Sequence, residues 1–230
     1  LNSRLNLGGR LVFDRQNNLY ISVGDRFQQE RSQQVDDDSG SVVRIRDDGS
    51  TPPDNPYLKD PKARPGKFTL GNRNIQGMAL HPQTGAVWSH EHGPQGGDEV
   101  NIIRGGLNYG WPVITYGANY GTGTKIGEGT HKAGMEQPLW KWVPSIAPSG
   151  MAFYSGERFP GWRGNILLGA LRGQMLVRLE LNGETVVREE RMMQNTVGRI
   201  RDVRVGPDGY VYLLTDEDRG MLFRLEPVGQ

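Results

Sequence analysis

Residues 203–214 read VRVGPDGYVYLL, two short apolar runs on either side of a Pro-Asp-Gly turn. Alternation of apolar and polar residues over roughly four to eight positions is typical of a half-buried β-strand, and a turn of this composition joins two such strands into a hairpin. A third apolar run, FRL at 223–225, follows the hairpin. The stretch therefore predicts a small antiparallel sheet.

The same plan is repeated three times upstream. Each copy has a first strand, a turn, a second strand and a later third strand, and the first strands are RLVF at 10–13, GMAL at 77–80 and GMAF at 150–153. Repeats of roughly 50 to 70 residues with three or four strands each are typical of propeller blades. We therefore predict an all-β fold, a single β-propeller domain over residues 1–230 with about four blades. A β-sandwich with similar strands is the alternative.

Composition limits the partners of the chain. Its 230 residues carry a formal net charge of +1, which argues against a nucleic-acid partner bound by phosphate neutralisation. No apolar run approaches the roughly 20 residues that a membrane span requires, and the lack of cysteine excludes disulfides and thiolate metal sites. The chain begins at Leu1 and runs almost directly into a strand pattern, so we expect N-terminal blades to precede it.

The densest polar constellation is HEHGPQGGDE at 90–99, followed by NYGWP at 108–112. A loop with a proline and three glycines can direct backbone carbonyls inward, and carbonyl plus carboxylate oxygen is the ligand set that Ca²⁺ prefers. Asp98 and Glu99 end this loop, and their alternative role is that of solvated turn charges. His90 and His92 would suit zinc, but no third nitrogen or sulfur ligand is evident in the sequence.

Arg199 and Arg201 alternate on a predicted strand, which places both guanidinium groups on one face. Two such groups side by side suit a ligand that carries several carboxylates. The alternative is a surface strand paired with acidic neighbours. Trp140 and Trp142 alternate in the same way, and burial in the core explains them better than stacking on a ligand ring.

Taken together, these blocks resemble the glucose/sorbosone dehydrogenase family, the soluble quinoproteins that use pyrroloquinoline quinone (PQQ). The resemblance is greatest to the aldose sugar dehydrogenase branch. Matching blocks occur in the expected order over nearly the whole chain, and they are GRL at 9–11, GD at 24–25, NRNIQG at 72–77, EHGP at 91–94, DE at 98–99, NYGWP at 108–112, APSG at 147–150 and RIRD at 199–202. One block alone would be weak, whereas the ordered set is specific.

The resemblance implies a six-bladed propeller, of which this chain would supply about four blades. It also implies that PQQ and Ca²⁺ serve the oxidation of an aldose sugar at its anomeric carbon to a lactone, by hydride transfer to the quinone. An external electron acceptor and a periplasmic or secreted location follow from the same resemblance.

The resemblance further assigns residues to a site. The backbone oxygens of Gly93 and Pro94 would hold a Ca²⁺ that also binds the quinone, and Glu99 with the carbonyl of Tyr109 would hold a second, structural Ca²⁺. Other polar and basic residues would contact the cofactor, namely Asp25, Arg73, Asn74, Ser145, Arg172, Arg199 and Arg201. Arg172 stands where many members have lysine, which keeps the charge but changes the donor geometry.

One position departs from the family pattern. The family's catalytic base is a histidine four residues before the arginine of the Gly-Arg-Leu block, and that position is Asn6 here. An amide cannot accept a proton near neutral pH, and general-base assistance contributes roughly 10²–10⁴-fold, so the resemblance predicts a slow or inactive enzyme. Asp98 is the nearest replacement base by the resemblance.

Two other functions stay open at this point. One is a non-catalytic propeller that binds a sugar or a protein partner. The other is a Ca²⁺-dependent lactonase-type hydrolase, which would need one central metal ringed by side-chain carboxylates and amides.

Overall fold

The computed structural model describes residues 3–228, and these residues form four antiparallel sheets. The first sheet contains β1 (Gly8–Phe13), β2 (Asn18–Val23) and β3 (Ser41–Arg46). The second contains β4 (Ile75–Leu80), β5 (Val87–Glu91), β6 (Asp98–Ile103) and β7 (Trp140–Trp142). The third contains β8 (Pro148–Phe153), β9 (Ile166–Ala170), β10 (Met175–Asn182) and β11 (Thr185–Met192). The fourth contains β12 (Ile200–Val205), β13 (Val211–Thr215) and β14 (Leu222–Leu225).

The hairpin predicted at 203–214 is present in the fourth sheet. β12 pairs with β13 in antiparallel register, with Val205 opposite Val211. Gly209 has a φ of 78°, a left-handed conformation that glycine adopts without strain. Asp208 Oδ1 accepts a hydrogen bond from the backbone N–H of Tyr210 at 3.2 Å. The turn residues therefore fix the hairpin.

The first strand of each sheet lies at the centre of the molecule. β1 packs against β4, β4 against β8, and β8 against β12, so the sheets follow one another around a common axis. The guanidinium of Arg10 on β1 comes within 3.9 Å of the Asp202 carboxylate on β12, which joins the first sheet to the last. The all-β propeller prediction is confirmed, with four blades in residues 3–228.

Neighbouring blades enclose separate apolar layers, and β9 illustrates the arrangement. Ile166 and Leu168 belong to the layer shared with the second blade, whereas Leu167 belongs to the layer shared with the fourth. Alternate side chains of a strand point to opposite faces, so a middle strand with a blade on each side is buried throughout. This explains why β9, with the sequence ILLGA, is continuously apolar instead of alternating.

The tryptophans of β7 join the second blade to the third. The indole N–H groups of Trp140 and Trp142 both donate to Glu189 Oε2 on β11, at 2.9 and 3.2 Å. Trp142 is 2% exposed and packs in the core cluster between these blades. The expectation of core burial is therefore confirmed.

Long connections follow β2, β3 and β6, and they pack together beside the loop that joins β5 to β6. Gln33 in the first connection donates to Asn108 Oδ1 in the third, at 3.1 Å. Gln95 in the β5–β6 loop donates its backbone N–H to the Ala118 carbonyl at 3.0 Å. The connections thus surround this loop at one end of the molecule. In the part of the chain that the structure describes, the helices are too short or too polar to cross a membrane.

Candidate active site at the end of the propeller

The loop at 92–97 is anchored by the buried Asp98 carboxylate. Its Oδ1 accepts the backbone N–H of Gly93 at 3.0 Å. Its Oδ2 accepts the Ser145 hydroxyl at 2.6 Å and the backbone N–H groups of Ile146 and Ala147 at 2.9 and 3.0 Å. Asp98 therefore ties the loop to the segment that leads into β8.

These contacts favour an anchoring role for Asp98 over that of a replacement base. The carboxylate is fully buried and accepts four hydrogen bonds. A general base needs a free lone pair within reach of the proton that it takes. Asp98 therefore has the geometry of an anchoring residue, and its role as a base stays a prediction.

Backbone oxygens crowd around Gly93. A Cβ atom added there would come within 2.2 Å of the Gly96 carbonyl oxygen and 2.3 Å of the Gly97 oxygen, so only glycine fits. The carbonyl oxygen of Gly93 accepts a hydrogen bond from Arg73 Nη1 at 2.7 Å, and that of His92 accepts one from the same nitrogen at 2.9 Å. The loop therefore presents several carbonyl oxygens in a small volume, next to a cationic side chain.

Two carboxylates lie beside this loop, of which Glu91 is buried and Glu99 is partly buried. Glu91 and Glu99 are cross-strand partners on β5 and β6 and line one small cavity together with Tyr109. Glu91 accepts the backbone N–H of Arg73 and the amide of Asn72, whereas Glu99 accepts the amide of Asn101 at 3.3 Å. Burial, and then the charge of Glu91, raise the pKa of Glu99 to about 8.

This donor set fits Ca²⁺. Buried like-charged carboxylates are costly unless a cation neutralises them, and carbonyl with carboxylate oxygen suits Ca²⁺. Within residues 3–228, no three His, Cys, Asp or Glu side chains converge as metal ligands, so backbone oxygens would have to complete the coordination. Glu91 was not singled out as a ligand from the sequence, although its place in the EHGP block was a usable signal.

Arg199 and Arg201 lie on one face, as their alternation predicts. Both guanidinium groups donate to Asp216 Oδ2, at 2.9 and 2.8 Å. Their side chains are 41% and 36% exposed, so they are accessible from solvent. Asp216 is therefore an acidic neighbour of the kind expected for a surface strand. The two guanidinium groups are nevertheless open to solvent and could also contact a ligand.

His92 is the first residue of the β5–β6 loop, and its ring reaches the neighbouring blade. Its Nε2 is 2.6 Å from the carbonyl oxygen of Pro148 on β8. Burial lowers the pKa of His92, the carboxylate of Asp98 opposes this, and the charges of Arg73 and Arg201 add to the lowering. Ser149, next to Pro148, donates its hydroxyl to the carbonyl of Ile200 at 2.6 Å. Ile200 stands between Arg199 and Arg201 in the chain, so the arginine pair lies beside the strand that His92 contacts.

Asn6 and Asp25 bring the first blade to the site, where the backbone N–H of Asp25 donates to the Arg73 carbonyl at 2.9 Å. The Asn6 amide donates to Asp25 Oδ1 at 2.8 Å, and the Trp111 indole donates to Asp25 Oδ2 at 2.8 Å. A Cβ atom at Gly24 would lie 1.9 Å from the Asn6 carbonyl oxygen, so the glycine of the Gly24-Asp25 block permits this approach. The position expected for the catalytic base therefore lies beside a carboxylate in the site.

Aromatic side chains that the sequence did not single out complete this side. The Arg73 guanidinium lies 5.0 Å from the centroid of the Trp111 ring and 5.7 Å from that of Phe27. Phe27 is half exposed and has a φ of 61°, an unusual conformation for an aromatic residue. A cleft is lined by Asp25, Arg73 and Trp111 with Phe27, Pro94 and Tyr120. Its aromatic faces could hold a flat or ring-shaped ligand.

The remaining predicted contacts lie around the same centre. Asn74 Oδ1 accepts the backbone N–H of Gly8 at 3.2 Å, which ties the second blade to the first. Tyr109 lines the cavity of Glu91 and Glu99. Arg172 is exposed, and its backbone N–H donates to the Ile146 carbonyl at 3.1 Å, next to Ser145.

Fold and site together define a class of protein, a β-propeller with a pocket of backbone carbonyls, buried carboxylates and arginines at one end. A family model described as Glucose / Sorbosone dehydrogenase matches residues 1–224, and the chain belongs to this family. The resemblance seen in the sequence is therefore confirmed.

Comparison with individual proteins gives the same family assignment. The aldose sugar dehydrogenase YliI of Escherichia coli (strain K12) is 46% identical over 222 residues, which cover 96% of this chain and 60% of that protein. A crystal structure of a glucose dehydrogenase superposes with a TM-score of 0.93 at 49% identity, over 96% of this chain and 64% of that one. The PQQ-bound aldose sugar dehydrogenase of Streptomyces coelicolor superposes with a TM-score of 0.75 at 27% identity, over 96% and 61% of the two chains. The chain thus spans somewhat less than two thirds of the length of these relatives.

Proposed function

We propose that this protein is a PQQ- and Ca²⁺-dependent aldose sugar dehydrogenase, which oxidises the sugar at its anomeric carbon to a lactone. The observation that carries the proposal is the contact of Arg73 with the carbonyl-rich Gly93 loop, together with the His92 ring of that loop reaching Pro148 on β8, the strand that is hydrogen-bonded to β12 beside Arg199 and Arg201. PQQ is a flat, polycarboxylated molecule, so it needs cations, a metal and aromatic faces in one cleft. The PQQ-bound relative supports this assignment.

The metal-binding residues follow from the donor set. The carbonyl oxygens of Gly93 and Pro94 would hold the Ca²⁺ next to the quinone. Glu99, joined by its buried partner Glu91, and the carbonyl of Tyr109 would hold the second Ca²⁺. When bound, the metal and the quinone supply an electrophilic carbonyl that accepts the hydride.

Basic side chains would orient the cofactor. Arg199 and Arg201 share the single carboxylate of Asp216, which leaves guanidinium donors available for the carboxylates of the quinone. Arg172 adds a further positive charge from the loop beside Ser145. Ser145 and Asn74 are already engaged in protein hydrogen bonds and would hold the walls of the cleft in place.

Asn6 would set the rate of the reaction. Its side-chain N–H₂ group donates to Asp25, so its side-chain oxygen Oδ1 could accept a hydrogen bond from a sugar hydroxyl. The amide can orient that hydroxyl but cannot remove its proton. Asp25 accepts the Asn6 amide, the Phe27 backbone N–H and the Trp111 indole, which leaves it poorly suited to replace the base.

A non-catalytic sugar-binding propeller is the second candidate, and Asn6 is the observation that favours it. The lactonase alternative has less support, because the side chains of residues 3–228 do not provide a ring of three metal-binding carboxylates or histidines. An external electron acceptor and a periplasmic or secreted location belong to the same proposal as family properties.

One spectroscopic titration separates the two candidates. PQQ and Ca²⁺ are added to the metal-free protein, and glucose is then added while the quinone spectrum is recorded. Slow reduction of bound quinone supports the dehydrogenase. Binding with no reduction over hours supports the non-catalytic propeller, and no binding of PQQ contradicts both the cofactor and the enzyme.

A further inference from the structure

The Arg73 guanidinium lies directly on the carbonyl oxygens proposed for the metal. Its Nη1 is 2.7 Å from the Gly93 oxygen and 2.9 Å from the His92 oxygen, and the residue is 5% exposed. We infer that Arg73 acts as an internal cation that competes with Ca²⁺ for the Gly93 carbonyl, so that the metal and the quinone bind cooperatively. The inference rests on the proposed function, and it concerns the order and coupling of binding instead of the reaction.

The surroundings hold Arg73 in this position. Its backbone N–H donates to the Glu91 carboxylate, and the guanidinium lies between the rings of Trp111 and Phe27. Cation–π contacts of this kind stabilise a guanidinium that is shielded from water. A positive charge is therefore supplied by the chain itself next to the oxygen-rich loop.

The same position leaves one donor unused. Arg73 Nε is buried and has no hydrogen-bond partner within the part of the chain that the structure describes. An unsatisfied buried donor is costly, so a ligand that offers an acceptor to Nε would draw the guanidinium toward itself. A carboxylate or carbonyl oxygen of the quinone in the adjoining cleft has this chemistry.

Competition follows from charge and distance. A Ca²⁺ on the Gly93 oxygen at roughly 2.4 Å would lie within about 5 Å of a guanidinium nitrogen on the same oxygen. Like charges at such a distance repel, strongly so where water is excluded. A quinone that accepts hydrogen bonds from Arg73 removes this repulsion. Because coupling between ligands is reciprocal, the metal would in turn strengthen quinone binding.

The test measures Ca²⁺ binding without quinone. Calorimetric titration with CaCl₂ is performed on Glu99→Gln protein, in which the second proposed site lacks its carboxylate, and on the same protein with Arg73→Met. We expect Arg73→Met to raise the Ca²⁺ affinity by roughly tenfold, the size of one charge-assisted hydrogen bond. We also expect PQQ to raise the Ca²⁺ affinity strongly in the protein with Arg73 and weakly in the variant.

Arg201→Met is the matched control, because it removes a positive charge near His92 without touching the Gly93 oxygen. It should raise the Ca²⁺ affinity much less than Arg73→Met does. If Arg73→Met misfolds, as judged by circular dichroism and thermal melting, Arg73→Gln serves in its place with the same expectation.

The outcomes distinguish this inference from the proposed function. Unchanged or weaker Ca²⁺ affinity in Arg73→Met would overturn the inference that Arg73 competes with Ca²⁺, and so would an equal rise in affinity in Arg201→Met. PQQ binding by the unsubstituted protein would still support the proposed function in either case. Failure of the unsubstituted protein to bind PQQ in excess Ca²⁺ overturns both.

Discussion

Asn6 has a left-handed backbone, with φ of 48°, and donates its amide to the Asp25 carboxylate. Histidine tolerates this region of φ better than most residues do, and an imidazole there could be oriented by Asp25. We predict that Asn6→His raises kcat/KM for an aldose by roughly 10²–10⁴-fold, the usual contribution of a general base. Asn6→Gln, which supplies no base, is the control. An Asn6→His protein that binds PQQ without any gain in rate would contradict the role of this position.

Asp98 is expected to matter for stability more than for proton transfer. Its carboxylate accepts four hydrogen bonds in a fully buried position. Asp98→Asn would set an N–H₂ group against these donors, so we predict that the free energy of unfolding falls by about 2–4 kcal/mol in urea titrations. Asp47→Asn, at an exposed position, should have little effect. Unchanged stability with lost turnover would instead restore Asp98 as a candidate base.

Glu99 predicts a pH dependence of the metal-free protein. Burial first, and the charge of Glu91 second, raise the pKa of Glu99 to about 8, above the ~4.3 of an unfolded chain. The folded state therefore binds more protons between these values, and stability falls as the pH rises toward 8, by at most ~1.4 kcal/mol per pH unit.

Urea unfolding between pH 6.5 and 8 checks this dependence by comparison with Glu99→Gln, because the lowered pKa values of His81, His90 and His92, which act in the opposite direction, are shared by the two proteins. Glu99→Gln should flatten the curve, and saturating Ca²⁺ should flatten it in the unsubstituted protein. Equal slopes for the two proteins in EDTA would count against a protonated Glu99.

At the scale of elements, the β5–β6 loop depends on one glycine. A Cβ atom at Gly93 would lie 2.2 and 2.3 Å from the carbonyl oxygens of Gly96 and Gly97. We predict that Gly93→Ala displaces these oxygens, abolishes PQQ binding and lowers the free energy of unfolding by about 1–3 kcal/mol. Gly161→Ala meets no atom within 4 Å and is the control. Normal PQQ binding by Gly93→Ala, measured by quinone absorbance, would show that the loop geometry is not required.

The sequence predicts the inner strands better than the outer ones. The sequence pattern predicts the positions of the inner strands because they are apolar and bounded by turns; these strands are β1, β4, β8 and β12. β11 carries the sequence TVVREERM and has no buried residue, so it lacks the apolar signal by which a buried strand is recognised. The three residues of β7 are too short to form a pattern.

At the scale of the whole molecule, sequence alone could not bring the site together. The sequence predicts the arginines as a pair, but it does not predict that the short loop after β13 supplies their shared carboxylate, Asp216. The aromatic contacts of Arg73 come from the long connections after β2 and β6, which have no periodicity. The sequence does not predict Glu91 as a metal ligand, because a single carboxylate within a strand gives no local sign of its cross-strand partner. The resemblance to a family supplied what local patterns could not.

The two end blades carry exposed apolar residues. Leu11 and Phe13 on β1 are 62% and 53% exposed, and Leu222 on β14 is 68% exposed. The relatives are longer than this chain, so we propose that further blades cover these faces. Residues 1–230 produced alone should then self-associate in light-scattering measurements, and Leu11→Ser with Leu222→Ser should reduce the association. A monodisperse, thermostable monomer would contradict this proposal.

The Gly93 loop and the arginines are proposed to form one cofactor site. A crystal structure of the protein soaked with PQQ and Ca²⁺, with anomalous scattering to locate the metal, tests this arrangement. We predict quinone density between Arg73 and Arg201, with Ca²⁺ on the carbonyl oxygens of Gly93 and Pro94. Quinone bound elsewhere, or a metal that does not contact the loop, would contradict the assignment of the site.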